Sequence, residues 1–250
     1  MDLYALLQRR AGIAAPVRQV QLGLNWTAVE VRGVGLSFSP VDAPRTLPWS
    51  GTLRGRPAAE LVGWLSSWEP AEAAVALATA NAVINHDNPL IVDATLLQGD
   101  VLQRRAPGHL RVFEHFTSQV QQQNVVVIGR YPGLDALWSG VDYCCIERRP
   151  QGQDLPDTAA EYILPAADWV FITASSIANK TLPRLLQLSR HAQVVLMGPS
   201  LPWLEEWRGF GVNYLAGIKV CDADTLWPVV AEGGGTRLFA GPVQYHLLQF

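Results

Sequence analysis

The sequence predicts an α/β protein: an α+β N-terminal domain over residues 1–106, then a doubly wound parallel-sheet domain over 107–250. Three observations predict it. Short alternating strands precede helical patterns in the first 90 residues, the order of an α+β unit. From Asn124 onward, five apolar runs are separated by turns or helical patterns, as in strands buried on both faces of a parallel sheet. Two of those runs, Asp168–Thr173 and Gln193–Gly198, end in loops of small and polar residues, where open α/β sheets bind ligands.

Along the chain, residues 2–10 form a short helix with Leu3, Leu6 and Leu7 on one side. Val17–Leu24, Thr27–Val31 and Val34–Phe38 alternate with period two, and short links near Asn25 and at Arg32-Gly33 make them an antiparallel meander. After a Pro-, Gly- and Arg-rich loop, helical patterns cover Ala58–Ser66 and Glu69–His86. Ser66 and Glu69 have capping-box spacing, and Pro70 suits a first turn. Asn88-Pro89 ends the second helix. The polar and basic stretch 98–108 is the expected interdomain connection, and 111–122 a connecting helix. The parallel strands are Val125–Gly129, Asp142–Glu147, Trp169–Thr173, Val194–Gly198 and Tyr214–Val220.

Composition excludes several classes. The net charge of -3, with no basic block, leaves no nucleic-acid footprint. Charges follow the apolar residues at the start, the reverse of an export signal. The longest apolar run, Ala71–Ile84, is too short to span a bilayer. No membrane partner and a cytoplasmic location are expected. Three cysteines, Cys144, Cys145 and Cys221, do not form a disulfide framework. Lysine is scarce: Lys180 and Lys219 are the two in the chain.

The polar residues at strand ends are the candidate site. Thr173, Ser175, Ser176, Asn179, Lys180 and Thr181 offer donors, acceptors and a charge near a helix start, where unpaired N–H groups attract anions; Thr181 also suits a cap for that helix. Pro199 and Ser200 stand at the same point after the next strand. Asn81 and Asn85 share one face of an apolar helix, and burying unpartnered amides is costly, so they meet backbone, water, the other domain or a ligand. Glu147 lies 18 residues after Gly129 (147 − 129), the spacing of a ribose-binding acid, although Arg130, Tyr131 and Pro132 fill the turn where a dinucleotide needs small residues. Glu147, Asp154 and Glu161 would be the carboxylates for a hard cation. There is no C-x-x-C, no H-E-x-x-H and no nucleophile elbow.

Taken in order, Ala80-Asn81-Ala82 with Asn85, Val127-Ile-Gly129, Glu147-Arg-Arg-Pro150, Gly152–Pro156, Ala160-Glu161, Leu164-Pro165-x-Ala167-Asp168, Thr173–Thr181, Gly198-Pro-Ser200 and the late glycine triplet carry a resemblance. The chain resembles, over nearly its whole length, the uncharacterised prokaryotic family described as putative heavy-metal chelation proteins. The resemblance implies an enolase N-terminal-like domain, a Rossmann-like domain and a cleft between them lined by Asn81, Asn85, Glu147, the 173–181 loop and Pro199-Ser200. It implies a metal ion or metal chelate as ligand. The expected function is a small-ligand-binding protein whose partner is a small molecule or metal. The rivals are an enzyme using a nucleotide-like cofactor, with Glu147 on its ribose and Lys180 as stabiliser or acid/base group, and an interaction protein in a metal-related assembly that exposes several of nine tryptophans. A homo-oligomer is left open.

Overall fold

The computed structural model describes residues 2–97 and 107–250. Helix α1 (Leu3–Ala11) starts at Asp2, whose side chain accepts the Tyr4 N–H, and buries Leu3, Leu6, Leu7 and Ala11 along one stripe. Strands β1 (Gln19–Leu22), β2 (Trp26–Glu30) and β3 (Val34–Phe38) make the expected antiparallel meander in sequence order. Helix α2 (Ala58–Gly63) runs into a 3-10 turn over Trp64–Ser66, and α3 (Pro70–Ile84) follows. The Ser66–Glu69 capping box does not form. Ser66 belongs to the 3-10 turn, and Ser67 instead accepts the Glu69 N–H and donates to Glu72.

Helix α3 is buried all round, from Ala71 to Ile84 with Glu72 as the exception. It is apolar on every face because it is packed on every face: the meander on one side, α1 and α2 on the other. Its alanines allow backbones to touch. A Cβ on Gly35 of β3 would lie 2.1 Å from Ala82 N and 2.2 Å from Ala78 O. Asn88 then caps α4 (Pro89–Asp93) by accepting the Leu90 N–H.

The remaining elements are β4 (Thr95–Leu96), α5 (Arg111–Phe116), β5 (Val125–Ile128), α6 (Leu134–Leu137), β6 (Tyr143–Glu147), β7 (Leu155–Pro156), α7 (Ala160–Ile163), β8 (Trp169–Thr173), α8 (Leu182–Leu188), β9 (Gln193–Met197), β10 (Tyr214–Val220), α9 (Ala223–Ala231) and β11 (Val243–Gln249). They build an eight-stranded sheet in the order β4-β11-β10-β9-β8-β5-β6-β7. The six strands from β10 to β7 are parallel; β11 and β4 add an antiparallel edge. The five predicted parallel strands are present. The antiparallel pair and β7 are additions, and the expected helix over 111–122 ends at Phe116. Most of the predicted connection, 98–106, lies outside the described residues.

Strand residues divide by parity. Val126, Ile128, Val170, Ile172, Val194 and Leu196 join one core together with Leu7, Leu61 and Leu77. Val125, Val127, Phe171, Val195 and Met197 join a second with Phe113, Phe116 and Trp138. This is the two-face burial that the continuous apolar runs predict. Meander residues enter both cores: Val29 and Val31 the first, Trp26, Ala28 and Leu36 the second. Among the described residues no helix is long and apolar enough to cross a membrane.

From β5 the chain passes to β6 and β7 on one side and returns to β8 on the other. The strand order therefore reverses between β5 and β8, and the crevice outside such strand ends is where ligands sit in open sheets. Gly129, just after β5, has φ 100°, and its Cβ position is 3.0 Å from Thr173 Cγ2 at the end of β8. Gly198, after β9, has φ 114°.

The close approach at Gly35 yields a test. Gly35→Ala places a methyl against helix backbone that cannot move aside without shifting α3. It should destabilise the protein by about 3 kcal/mol or more, as overpacking into backbone does, measured by urea unfolding. Gly63→Ala, with open space around its Cβ position at the end of α2, is the control and should be neutral or stabilising by up to about 1 kcal/mol.

Candidate functional site

The N-terminal elements meet the carboxyl edge of the large sheet along a seam of side-chain-to-backbone hydrogen bonds. Asn85, which ends α3, donates from Nδ2 to Leu201 O (2.9 Å) and accepts the Trp203 N–H at Oδ1 (2.9 Å). Asn88 donates to Ile84 O and Trp203 O, both at 2.8 Å. Buried Ser200 accepts the Phe38 N–H at 2.9 Å. Asn81 donates to Leu36 O at 2.8 Å, and its buried Oδ1 has no partner. Extended segments on both sides have backbone groups that their own ladders leave free, and these amides and this hydroxyl satisfy them.

Beside the seam is a cavity of about 130 Å3. Its walls are residues 33–36 of the meander, Asn85, His86 and Asp87 after α3, Pro199 after β9, and residues 218–220 at the end of β10. Lys219 supplies the cationic wall. His86 Nε2 is 3.2 Å from Asp87 Oδ2, and Asp87 has φ 48°. Two predicted residues, Asn85 and Pro199, line this cavity, and Asn81 holds the backbone of a third wall residue, Leu36. Ser200 adjoins it with its hydroxyl engaged by Phe38. Lys219, His86 and Asp87 were not among the predicted site residues. Lys219 carried a signal, being one of two lysines and at a strand's carboxyl end.

The 173–181 loop turns elsewhere. Thr173 and Ser175 share a hydrogen bond of 3.0 Å, and Ser176 donates to Thr173 O at 2.6 Å. Asn179 Oδ1 accepts the Thr181 N–H and hydroxyl (3.1 and 2.7 Å), so the Thr181 hydroxyl does not cap α8. Lys180, in the left-handed region at φ 69°, donates to Leu65 O at 2.5 Å and lies 4.9 Å from the centre of the Tyr4 ring. Tyr4 in turn donates to Ile177 O (3.1 Å). Burial pulls the Lys180 pKa down and pushes the Tyr4 phenol up to about 12. Lysine and tyrosine together dock the loop onto α1 and the 3-10 turn.

Of the three carboxylates, Glu147 and Asp154 meet at Arg130, while Glu161 stands apart with Arg184. Glu147 accepts the Arg130 N–H (3.0 Å) and the Arg149 N–H (3.3 Å). Asp154 pairs with Arg130 (2.5 Å), and Glu161 with Arg184. Burial works against ionised Asp154, but the Gln151 N–H, Arg130 and the Cys145 thiol hold its pKa below the usual carboxylate range. Burial, then the Asp154 carboxylate, push the Cys145 thiol up to about 12; burial also raises Cys144 and Cys221. Among the described residues no three His, Cys, Asp or Glu side chains group into a possible metal site. The residues do not fit a preformed cage for a bare ion. A smaller concavity of about 40 Å3 lies between the Gly129–Asp135 turn, Tyr143, Cys145 and Asp154. Tyr131 is among its lining residues and packs on Phe113 with ring centres 4.8 Å apart. Of the nine tryptophans, Trp68 alone is largely exposed, so the expected tryptophan patch is absent.

This is the architecture of a two-part α/β protein with a small antiparallel sheet set against the carboxyl edge of a mainly parallel one. Comparison with known proteins places it further. Residues 111–249 match the DUF364 family model and residues 4–84 the DUF4213 model, both described as "Putative heavy-metal chelation". The chain belongs to the DUF364 family. It is similar to a DUF364 protein of unknown function from Desulfitobacterium hafniense DCB-2, with a TM-score of 0.83, 27% identity, and coverage of 99% of this chain and 97% of the other. A second DUF364 protein of unknown function, from Pyrococcus horikoshii, shares the fold at a TM-score of 0.80 and 20% identity, with 100% of each chain covered. The uncharacterized protein MJ0500 of Methanocaldococcus jannaschii is 23% identical over 198 residues, 76% of this chain and 71% of that one.

The seam predicts a sharp difference between two polar truncations. Asn85→Ala leaves the Trp203 N–H and the Leu201 carbonyl without partners and should cost about 2–4 kcal/mol. Ser175→Ala loses one half-buried hydroxyl bond and should cost less than about 1 kcal/mol. Chemical denaturation of the two variants measures both.

Proposed function

We propose that the protein is a small-ligand-binding protein whose site is the crevice between its N-terminal elements and the carboxyl edge of the large sheet. On this reading the chain divides at about residue 106 into a domain similar to the enolase N-terminal fold and a Rossmann-like domain, with β4 of the first crossing over to pair with β11 of the second. The parallel strands in the order β7-β6-β5-β8-β9-β10 support it, since in chain order this is 3-2-1-4-5-6, the dinucleotide-fold arrangement. The cytoplasm is the proposed location; three unpaired thiols suit a reducing compartment.

One observation carries the reading: the cavity of about 130 Å3 is walled by both parts of the chain and lies at parallel-strand ends. Its size suits a metabolite-sized group rather than a drug-sized ligand of about 300–1,000 Å3. The ligand class follows from the donor set. Carboxylates are committed to arginines and backbone N–H groups, no three His, Cys, Asp or Glu side chains group among the described residues, and Lys219 lines the cavity. That favours a metal carried inside an anionic chelator, or the chelator alone, over a bare cation. Nucleotide binding at Glu147 gains no support, because both carboxylate oxygens hold backbone and Tyr131 fills the turn.

Thermal unfolding with Zn2+, citrate, ferric citrate and phosphate as separate additives tests this. A ligand at 100 times its Kd stabilises by about 2.7 kcal/mol, a rise in Tm of roughly 5–10 °C for a chain of this size. Citrate or ferric citrate should produce such a rise, and Lys219→Met should abolish it. Stabilisation by Zn2+ alone, undiminished in Lys219→Met, would contradict the proposal.

A further inference from the structure

The seam satisfies some of the main-chain groups that the two sheets leave free; others belong to the walls of the crevice. In an antiparallel pair, opposed residues alternate between those that exchange ladder bonds and those whose N–H and C=O point away. On β3 the ladder bonds to β2 fall on odd residues: the Ser39 N–H donates to Asn25 O, and Gly33 O accepts the Val31 N–H. Val34, Leu36 and Phe38 therefore aim their N–H and C=O over the open edge of the meander. Two bonds agree with this parity, Phe38 N–H to Ser200 Oγ and Asn81 Nδ2 to Leu36 O.

Strand β10 repeats the pattern. The Cys221 N–H donates to Pro242 O and Asn213 O accepts the Phe250 N–H, so odd residues serve β11. Even residues face β9, and Ala216 O accepts the Gly198 N–H there. Pairing with β9 ends at Ala216 and Met197, while β10 runs on to Val220. The N–H and C=O of Ile218 and Val220 thus point past the end of β9. Val34, Leu36, Ile218 and Val220 all line the cavity. Among the described residues no group bonds the N–H of any of the four, nor the C=O of Val34, Ile218 or Val220. Leu36 is 1% exposed and Ile218 5%. Buried main-chain groups are nearly always paired, so these two edges need a partner. The chain supplies one at the inner end: residues 198–200 reach both edges, through Gly198 to Ala216 of β10 and through Ser200 to Phe38 of β3. Pro199, which has no N–H, is the cavity wall there.

We propose that the crevice takes a short peptide with a free carboxylate, lying extended between the open edges of β3 and β10. The proposal rests on the crevice being a binding site and names its ligand class. A peptide carries N–H donors and C=O acceptors at the spacing that both edges present, which is the logic of strand addition. Lys219 on the cavity wall supplies the cation for its carboxylate. Asp87, the anionic wall residue, pairs with His86 at 3.2 Å. The length follows from the edges: Val34 to Leu36 is two steps of about 3.3 Å, enough for about two or three residues of a strand.

The test is a 1H–15N titration of the full chain with four probes: N-acetyl-trialanine, its C-terminal amide, its backbone N-methylated form, and citrate. The expected result is a parity pattern. N-acetyl-trialanine moves the amides of Val34, Leu36, Ile218 and Val220, while Gly35, Ser37, Gly217 and Lys219, bonded within their sheets, move less. N-methylation removes the donors and amidation removes the charge, and each should weaken binding about tenfold. Citrate, an anion without amides, should also bind at least about tenfold more weakly than the peptide. Lys219→Met should weaken the free acid about tenfold and leave the amide unchanged, which separates a lost contact from a lost fold. Citrate binding as tightly as the peptide, or peptide binding that survives N-methylation without the parity pattern, would overturn the inference and leave the crevice site standing. No response of the crevice amides to any of the four probes would overturn both.

Discussion

A single carboxamide spans the contact on which the rest of the molecule depends. Asn85 stands at the last turn of α3 and bonds both the carbonyl of Leu201 and the N–H of Trp203 in the loop after β9. With Asn88 on Trp203 and Ser200 on Phe38, it fixes an apolar helix and its meander against the carboxyl ends of the parallel strands. These bonds are side chain to backbone across more than a hundred residues of sequence. Each leaves an unpaired buried group if broken, and such a group costs more than a bond contributes. The cavity beside the seam is therefore a product of the same bonds that join the two parts.

Burial of the meander in both cores reinforces this. Leu36 and Val29 lie on opposite sides of the small sheet and belong to different hydrophobic clusters. Sliding the N-terminal elements along the sheet edge would disturb both clusters at once. Close-packed interiors do not deform continuously, so the crevice is preformed rather than a gap that opens and shuts.

Much of the architecture is legible in the sequence. Val125–Ile128 and Trp169–Thr173 are apolar at successive positions because both faces are covered, and Pro70 marks a helix start and Asn88-Pro89 a helix end through local stereochemistry; the same Asn88-Pro89 also starts α4, beyond that reading. Strand β11 is not legible in the same way. Gln244, His246 and Gln249 interrupt its apolar residues, and its place is decided by pairing with β10 and the distant β4. The candidate site is legible as a location and not as a set of contacts. The polar residues after β8 and β9 do stand at the strand ends. Nothing local reveals that the Ser200 hydroxyl would be taken by an amide 162 residues away, or that Lys180 would turn to Leu65. Lys219 gains its place from the sheet, which carries the end of β10 up to the meander and the turn after α3, a relation that exists only once the chain is folded.

The most direct measurement is native-state hydrogen exchange at the Trp203 and Phe38 amides, the two N–H groups that the seam holds. If the seam fixes the two parts as one body, both exchange only through global unfolding, with the same opening free energy as the amides of β5 and β8. Exchange at these two amides with an opening free energy several kcal/mol lower, while β5 and β8 stay protected, would show that the parts separate freely and would contradict a preformed crevice.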